Sequence, residues 1–327
     1  MKRLAEFVQH LIMKIVILDA HTVNPGDLSW ERISDLGETT VYPRTAPDEV
    51  VGRCEDADIV LTNKVVLDAD TLNMLPHLKY IGVLATGYNV VDLETASRQN
   101  IVVTNIPSYS TQSVAQMVWS HILNITNRVE YYTLRNHDGR WTNSPDFCYY
   151  DFTHQELCGK TLGIVGLGNT GMAVARIALA FGMKVIAFTS KDSLPEGIRK
   201  VTMEQVFSQC DILSLHCPLN KETYHLVSHA RLQLMKPSAI IINTSRGPVV
   251  NEQDLADALN SGKIAAFGCD VLSSEPAKAD NPLLKARNCF ITPHIAWATK
   301  EARIRLIDIC ADNIRSFMKG KTINQVN

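Results

Sequence analysis

Short apolar runs alternate with segments of mixed polarity along most of this chain. In the first third, four such runs predict buried strands at residues 15–18, 59–61, 80–84 and 101–103. The segments between them, at 28–36, 47–54 and 91–99, have the mixed pattern of helices that pack on a sheet. Alternation of this kind predicts a parallel sheet with helices on both faces.

A second alternating block occupies residues 161–293. Its apolar runs predict six strands, at 162–165, 185–188, 212–215, 239–243, 266–269 and 289–292. A doubly wound unit of about six strands is the size of a complete dinucleotide-binding domain. Before this block, residues 110–137 predict one long helix and 139–152 an irregular loop, and residues 298–317 predict a final helix.

Length and composition fit a two-domain globular protein. The chain has 327 residues, 46% of them hydrophobic, and a formal net charge of −2. No basic surplus is available for nucleic acid, and no apolar run approaches the ~20 residues that span a bilayer. Eight cysteines are scattered without a CxxC pair, which favours reduced thiols over disulfides or a metal site and predicts a cytoplasmic protein. Residues 1–12 are interpreted as a dispensable N-terminal extension, because Met13 opens a natural first strand.

A glycine-rich turn, GLGNTG, follows the first strand of the second block and precedes a helix. Gly166 permits the tight turn, Gly168 allows a pyrophosphate to approach the backbone, and Gly171 lets the helix pack closely on the strand. The first helical residues, Asn169 and Thr170, offer N–H groups to phosphates. A purely structural turn is the alternative, but the strand on one side and the helix on the other favour cofactor binding.

The end of the next strand departs from the usual NAD fingerprint. A carboxylate that holds the ribose is expected there, about 20 residues after the glycines, but this chain has Thr189, Ser190 and Lys191. Without a carboxylate to repel a 2′-phosphate, and with a lysine to attract one, the segment predicts a slight preference for NADP(H) over NAD(H). The alternative is that both hydroxyls simply bind the ribose of NAD.

Three polar residues in the last third of the chain supply the chemistry that a 2-oxoacid reductase needs. Arg246 follows the predicted strand 239–243, and its planar fork can hold a carboxylate. His294 follows the strand 289–292 and can move a proton, while Glu275 can orient it and favour its protonated form. Each residue alone could be structural: a surface cation, a turn residue and a packed histidine. In combination with the glycine turn they favour catalysis.

At this point the sequence resembles the D-isomer-specific 2-hydroxyacid dehydrogenase family, most of all its glycerate dehydrogenase and hydroxypyruvate/glyoxylate reductase branch. The matching stretches are VLATGYNVVD, STQSVAQMV, GIVGLGNTGMAVA, HCPLNKET, INTSRGPVVNE, DVLSSEP, NPLL and ITPHIAWAT. The resemblance implies an α/β fold of two doubly wound parallel-sheet domains and a homodimer. A Rossmann domain, residues 109–297, would be inserted into a flavodoxin-like substrate domain made of residues 13–108 and 298–327.

The resemblance also implies roles for individual residues. Arg246 would bind the substrate carboxylate and oxo group, Glu275 would pair with the histidine, and His294 would be the acid/base. Backbone groups of Ala85, Thr86 and Gly87 would form a nest for the substrate carboxylate, although an ordinary strand-to-helix turn is the alternative. Besides the glycine turn, the strand end and His294, the cofactor would be lined by Thr111, Cys217, Pro218, Thr223, Thr244, Ser245 and Asp270, the last at the nicotinamide carboxamide.

The combined prediction is an NAD(P)H-dependent reductase of a small 2-oxoacid, with hydroxypyruvate or glyoxylate favoured. A corepressor of the same fold that senses dinucleotides is the alternative from another class, and a formate-type dehydrogenase would lack the histidine–glutamate pair. No metal is predicted: His225 and His229 are four residues apart, but without a third ligand they indicate a solvated helix face. The sequence does not name the physiological 2-oxoacid.

Overall fold

Five parallel strands form the sheet of the first unit in the computed structural model, which describes residues 12–327. This unit comprises the described residues up to Ser110 together with Ala298–Asn327. Its strands are β1 (Lys14–Ile17), β2 (Glu38–Val41), β3 (Ile59–Thr62), β4 (Tyr80–Val83) and β5 (Val102–Thr104). The order β2-β1-β3-β4-β5 is flavodoxin-like, as predicted. The proposed extension, residues 1–12, lies outside the described residues except for Ile12.

Short helices connect these strands. They are α1 (Ala20–Val23), α2 (Glu31–Ser34), α3 (Val50–Cys54), α4 (Ala69–Asn73) and α5 (Leu93–Arg98), with a 3₁₀ turn at Pro47–Glu49 and a C-terminal helix at Lys300–Met318. Asp68 and Asp92 begin α4 and α5 by accepting the backbone N–H groups of Thr71 and Thr95. β3 and β4 are buried at every position, because a parallel strand covered on both faces has no polar side.

Seven parallel strands form the sheet of the second unit, Thr111–Trp297. They are β6 (Thr161–Val165), β7 (Lys184–Phe188), β8 (Ile198–Lys200), β9 (Ile212–Leu215), β10 (Ile240–Asn243), β11 (Ala266–Cys269) and β12 (Cys289–Ile291). In the order β12-β11-β10-β9-β6-β7-β8, the winding reverses between the neighbouring interior strands β6 and β9. This is the Rossmann order with one additional edge strand, and ligands bind such sheets at the carboxyl ends of the strands near that reversal.

The described residues of the second unit form six α-helices. They are α6 (Thr111–Asn127), α7 (Val129–His137), α8 (Asn169–Ala180), α9 (Met203–Gln209), α10 (His229–Leu234) and α11 (Glu252–Asn260), with 3₁₀ turns at Gly247–Val249 and Pro282–Lys285. Alternation along the strands gives each face of the sheet its own core. Ile240 and Ile242 point into one core and Ile241 into the other. Each fully buried side chain of this kind contributes about 1.5–3 kcal/mol, so the strand ends are rigid supports for the loops beyond them.

Three of the sequence predictions about the elements are wrong. The long helix predicted at 110–137 is two helices, because Arg128 adopts a left-handed conformation with φ 53°. Its guanidinium lies between the rings of Phe152 and Phe290, at 4.6 and 4.8 Å from their centroids. The edge strands β2 and β8 were not predicted, so the second sheet has seven strands and not six. Finally, the predicted helix at 28–36 is a single turn, Glu31–Ser34.

Candidate active site

The glycine turn connects β6, an interior strand at the reversal of the winding, to α8. Gly166 has φ 92°, which favours glycine, and a Cβ there would lie 2.7 Å from the carbonyl carbon of His216 at the end of β9. A Cβ at Gly171 would lie 2.3 Å from the Gly166 oxygen, so α8 packs directly on the turn. At Gly168 a Cβ would meet nothing within 4 Å. The backbone is therefore open to a ligand at the residue that precedes Asn169 and Thr170, the first turn of a 12-residue helix.

The end of β7 presents hydroxyl and ammonium groups. The Thr189 hydroxyl accepts the Lys191 N–H at 3.3 Å, and Ser190 and Lys191 are exposed. Lys200, on the neighbouring strand β8, donates to the Lys191 carbonyl at 2.8 Å and lies 3.6 Å from the carboxylate of Asp192. Sequence analysis did not assign Lys200 to this segment, because the pairing of β7 with β8 that brings it there was not predicted.

The remaining candidate cofactor residues follow β9 and β10. Cys217 is buried, and Thr223 folds back to donate to the Pro218 carbonyl at 2.6 Å. The Thr244 hydroxyl oxygen is buried and has no hydrogen-bond partner within the described part of the chain. A buried hydroxyl without a partner is costly, and a ligand that supplied one would remove this cost. With the open glycine turn, Thr244 gives this carboxyl edge the features of a dinucleotide site.

Arg246 is held by its backbone while its guanidinium remains exposed. Asn243, 1% exposed at the end of β10, accepts the N–H and hydroxyl of Ser245 and donates to the Arg246 carbonyl. The next residue, Gly247, lies against a second loop: a Cβ there would be 1.9 Å from the carbonyl carbon of Leu272. The turn that follows Arg246 and the loop before Glu275 are thus in direct backbone contact, which only glycine allows.

Glu275 and His294 form a short hydrogen-bonded pair in the candidate site. The His294 Nδ1–H donates to Glu275 Oε2 at 2.6 Å, and the other oxygen, Oε1, accepts the Leu272 N–H at 3.1 Å. Because an ionised carboxylate only accepts, this contact assigns a proton to Nδ1 and leaves Nε2 for exchange with a substrate. The His294 side chain is 30% exposed and the Glu275 side chain 38%, so a small molecule can reach them.

The backbone at His294 is strained and is fixed from both sides. His294 has φ 54°, a left-handed conformation that is uncommon for residues other than glycine. Asp270, which is 1% exposed, binds the backbone on both sides of His294. It accepts from the hydroxyl of Thr292, before His294, at 2.6 Å. It also accepts from the N–H groups of Ile295 and Ala296, after His294, at 2.9 and 2.8 Å. The Trp297 indole donates to the His294 carbonyl at 2.8 Å. These contacts hold the imidazole in place.

A buried histidine, His121, and a half-buried one, His216, lie near this machinery. His121 on α6 lies 3.2 Å from the Thr292 hydroxyl, and burial lowers its pKa although Asp270 opposes the effect. His216, beside the glycine turn, shares a 2.8 Å hydrogen bond with Ser214, and burial lowers its pKa to about 4. Both imidazoles are therefore neutral at physiological pH.

The other predicted residues are described within their own units. Ala85, Thr86 and Gly87 follow β4 in the first unit, where the Ala85 carbonyl accepts the Ile106 N–H and the Thr86 hydroxyl donates to the Ile106 carbonyl. Thr111 begins α6. The predicted helix face at His225 and His229 is wrong: only His229 is helical, and His225 lies in a turn with φ 50°. Within residues 12–327 no three potential metal ligands lie together, and no helix could span a membrane.

Known proteins resemble this chain over nearly all of its length. A family model described as "D-isomer specific 2-hydroxyacid dehydrogenase, NAD binding domain" matches residues 119–296. The hydroxypyruvate reductase of Blautia hydrogenotrophica is 48% identical over 321 residues, 96% of this chain and 100% of that protein. The glycerate dehydrogenase of Methylorubrum extorquens is 39% identical over 317 residues, 96% and 98% of the two chains. A solved structure, an acyclic imino acid reductase in complex with NADPH and D-Arg, has a TM-score of 0.84 at 30% identity and covers 96% of this chain and 100% of that one.

The matched domain contains the glycine turn, Arg246, Glu275 and His294. Its seven-stranded sheet has the Rossmann order, and the identity to hydroxypyruvate reductase extends through both units. The chain belongs to the D-isomer specific 2-hydroxyacid dehydrogenase family and is an enzyme of that family.

Proposed function

We propose that the protein reduces a small 2-oxoacid, hydroxypyruvate or glyoxylate, to the 2-hydroxyacid with NAD(P)H, and that the product is the D-isomer where it is chiral. The observation that carries this proposal is the 2.6 Å pair of His294 and Glu275 on a fixed backbone, in the same unit as the exposed guanidinium of Arg246. The 48% identity to a protein named hydroxypyruvate reductase supports the choice of substrate.

His294 acts as the proton donor. Its Nε2–H passes a proton to the carbonyl oxygen while the carbonyl carbon accepts a hydride, so that C=O becomes CH–OH and the imidazole is left neutral. The Glu275 carboxylate stabilises the imidazolium before transfer and fixes the tautomer afterwards. Arg246 binds the substrate carboxylate through its fork and polarises the carbonyl oxygen.

The nicotinamide dinucleotide supplies the hydride when it is bound. The open backbone at Gly168 and the first turn of α8 would hold its pyrophosphate, and Thr244 would supply a hydroxyl that lacks an internal partner in the described chain. Asp270 already accepts three internal hydrogen bonds, two on Oδ1 and one on Oδ2. Because a carboxylate oxygen can accept two, Oδ2 retains capacity for the nicotinamide carboxamide.

We infer a slight preference for NADP(H). Thr189, Ser190 and Lys191 offer two hydroxyls and a cation at the end of β7, and Lys200 adds a second ammonium group beside Lys191. The exposed carboxylate of Asp192 offsets part of this charge. A solved relative at 30% identity was obtained with NADPH. Exposed contacts of this kind contribute only about 1 kcal/mol each, so the preference is modest.

A homodimer is the assembly that we propose. Large apolar side chains on α7 and the loop after it are exposed: Val129 (68%), Leu134 (58%), Trp141 (55%), Phe147 (90%) and Tyr150 (74%). Exposed apolar clusters of this kind mark interaction surfaces. A second copy is the partner that the family resemblance implies. We place the enzyme in the cytoplasm, which agrees with eight free thiols.

Steady-state kinetics of the purified protein test the proposal. We expect turnover of hydroxypyruvate or glyoxylate with NADPH and NADH, and much less with pyruvate or branched 2-oxoacids. Product chirality separates D- from L-glycerate. Specific binding of a dinucleotide without turnover of any 2-oxoacid would instead favour the corepressor-like alternative.

A further inference from the structure

Glu252, the first residue of α11, is bound to the loop that carries Glu275. Its Oε1 accepts the Ser273 N–H at 2.8 Å, and its Oε2 accepts the Ser273 hydroxyl at 2.6 Å and the Asn281 amide at 2.9 Å. These three donors lie at both ends of the segment 273–281. One carboxylate therefore fixes the two points between which Glu275 lies.

The contact at Ser273 continues to the catalytic pair. The N–H groups of consecutive residues go to two different carboxylates: Leu272 donates to Glu275 Oε1, and Ser273 donates to Glu252 Oε1. The position of the Leu272 peptide thus depends on Glu252, and the orientation of the Glu275 carboxylate depends on that peptide. With Oε1 held in this way, Oε2 remains directed at His294 Nδ1.

We propose that Glu252 is a positioning residue for the reaction, which acts on His294 through the Ser273 peptide and Glu275. This inference rests on the proposed roles of Glu275 and His294. Among the described residues, the hydrogen-bond donors to Glu252 are neutral groups of Ser273 and Asn281, and neither residue is a reacting group. Its effect is to keep the Glu275 carboxylate within hydrogen-bonding distance of the imidazole.

The ionisable groups that face Glu252 do not titrate in the working range. The neighbouring thiols are Cys269 and Cys289, on β11 and β12. Burial raises the pKa of Cys289 to about 12, and the Glu252 carboxylate adds to the rise. Burial likewise raises the pKa of Cys269 well above its usual value. A change in the pH–rate profile near neutrality would therefore report the Glu275–His294 pair and not these thiols.

Glu252→Ala is the primary test. We expect kcat/KM to fall about tenfold, the equivalent of one charge-assisted hydrogen bond, and the alkaline limb of the pH–rate profile to move to lower pH. The Kd for NAD(P)H should stay within about twofold, since the dinucleotide residues are untouched. Glu252→Gln, which keeps one acceptor oxygen, should restore part of the loss. Gln253→Ala is the matched control, because Gln253 on the same helix is exposed and donates to Asp257, away from the Glu275 loop.

A double-variant cycle separates positioning from general destabilisation. If Glu252 acts through Glu275, adding Glu252→Ala to Glu275→Gln should cost little beyond Glu275→Gln alone, because coupled residues are not additive. Additive losses, or an unchanged pH profile in Glu252→Ala, would overturn the proposal. If Glu252→Ala does not fold, Glu252→Gln decides by the same two readouts.

The single variants keep this inference distinct from the proposed function. Near-normal turnover of both Glu275→Gln and His294→Ala would defeat the proposed function and this inference together. Loss of turnover in those variants but not in Glu252→Ala would defeat this inference alone.

Discussion

Replacing Glu275 by glutamine removes the negative charge beside His294 and leaves the shape of the side chain nearly unchanged. In the wild type the two carboxylate oxygens face two donors, His294 Nδ1–H at 2.6 Å and Leu272 N–H at 3.1 Å. A glutamine has one acceptor oxygen, so it can satisfy only one of them. If its amide turns toward the imidazole, it donates to Nδ1 and favours the tautomer with the proton on Nε2. Either orientation weakens the protonated, acid form of His294.

The size of the effect follows from the partial exposure of the pair. A hydrogen bond to a charged group contributes about 1.5–3 kcal/mol and a neutral one about 0.5–1.5, so the charge itself accounts for about 1–1.5 kcal/mol. That corresponds to about one pH unit. Both side chains are about one-third exposed, so water screens the interaction between them. We therefore use the lower end of this range, about 1 kcal/mol.

We therefore expect the alkaline limb of the profile for 2-oxoacid reduction to move about one unit to lower pH. In the oxidation direction, the acid limb should move the same way, since the histidine then stays deprotonated down to a lower pH. NAD(P)H absorbance, recorded across pH 5–10 with saturating cofactor, measures both limbs. Ser274→Ala is the control, because it alters the same loop and keeps the carboxylate. Coincident profiles for wild type and Glu275→Gln would refute the coupling of Glu275 to His294.

The other predictions concern proton transfer, substrate binding, cofactor choice and acid stability. His294→Ala should lower kcat by roughly 10²–10⁴-fold with dinucleotide affinity little changed; near-normal turnover would exclude it as proton donor. Arg246→Lys keeps the charge but loses the fork, so kcat/KM should fall about tenfold or more, and a value within twofold of wild type would assign the carboxylate to another residue. Thr189→Asp should reverse the NADPH preference by repulsion, whereas a wild type that favours NADH about tenfold would contradict our interpretation of the β7 end. Burial lowers the pKa of His216 from 6.5 to about 4, so unfolding takes up a proton and the free energy of unfolding should decrease, by up to about 3 kcal/mol, as pH falls from 6.5 to 4; urea titrations of wild type and His216→Gln that run parallel over this range would contradict it.

The interior strands were predictable because burial on both faces makes them continuous apolar runs. The run Ile240–Asn243 is apolar at three positions, and each is buried. The edge strands were not predictable in this way. Only Ile198 of β8 is buried, and β2 has no fully buried position, so neither has the apolar run of a central strand. Their pairing depends on neighbours far away in sequence.

The helix break at Arg128 was missed for a related reason. Nothing in its local sequence, Asn127 to Val129, is a helix breaker such as glycine or proline. The left-handed conformation is held by the rings of Phe152 and Phe290, which are 24 and 162 residues further along the chain.

The sequence pattern identified the chemically active residues of the candidate site. It did not identify the residues that hold their loops in place. Arg246 and His294 each follow a strand end, a position that sequence pattern identifies. In the sequence, Glu252 is simply a carboxylate at the start of a helix, and Asn243 an amide at the end of a strand. The contact of Glu252 with the Glu275 loop, and that of Asn243 with the Arg246 turn, are visible only in the structure. Asn243 does carry a local signal: an amide at a strand end, three residues before an arginine, is suited to holding the turn between them.

The contact of Gly247 with the Leu272 backbone limits how this enzyme can diversify. With 1.9 Å between a hypothetical Cβ and a carbonyl carbon, every side chain larger than hydrogen would force the Arg246 and Glu275 loops apart. A saturation library at position 247 should therefore yield glycine almost alone among active clones. The spacing of the two loops is set by main chain against main chain, so it does not depend on the size of nearby side chains. Changes of substrate range in this scaffold must then arise at positions that line the substrate from elsewhere, while the distance between the guanidinium and the acid stays constant.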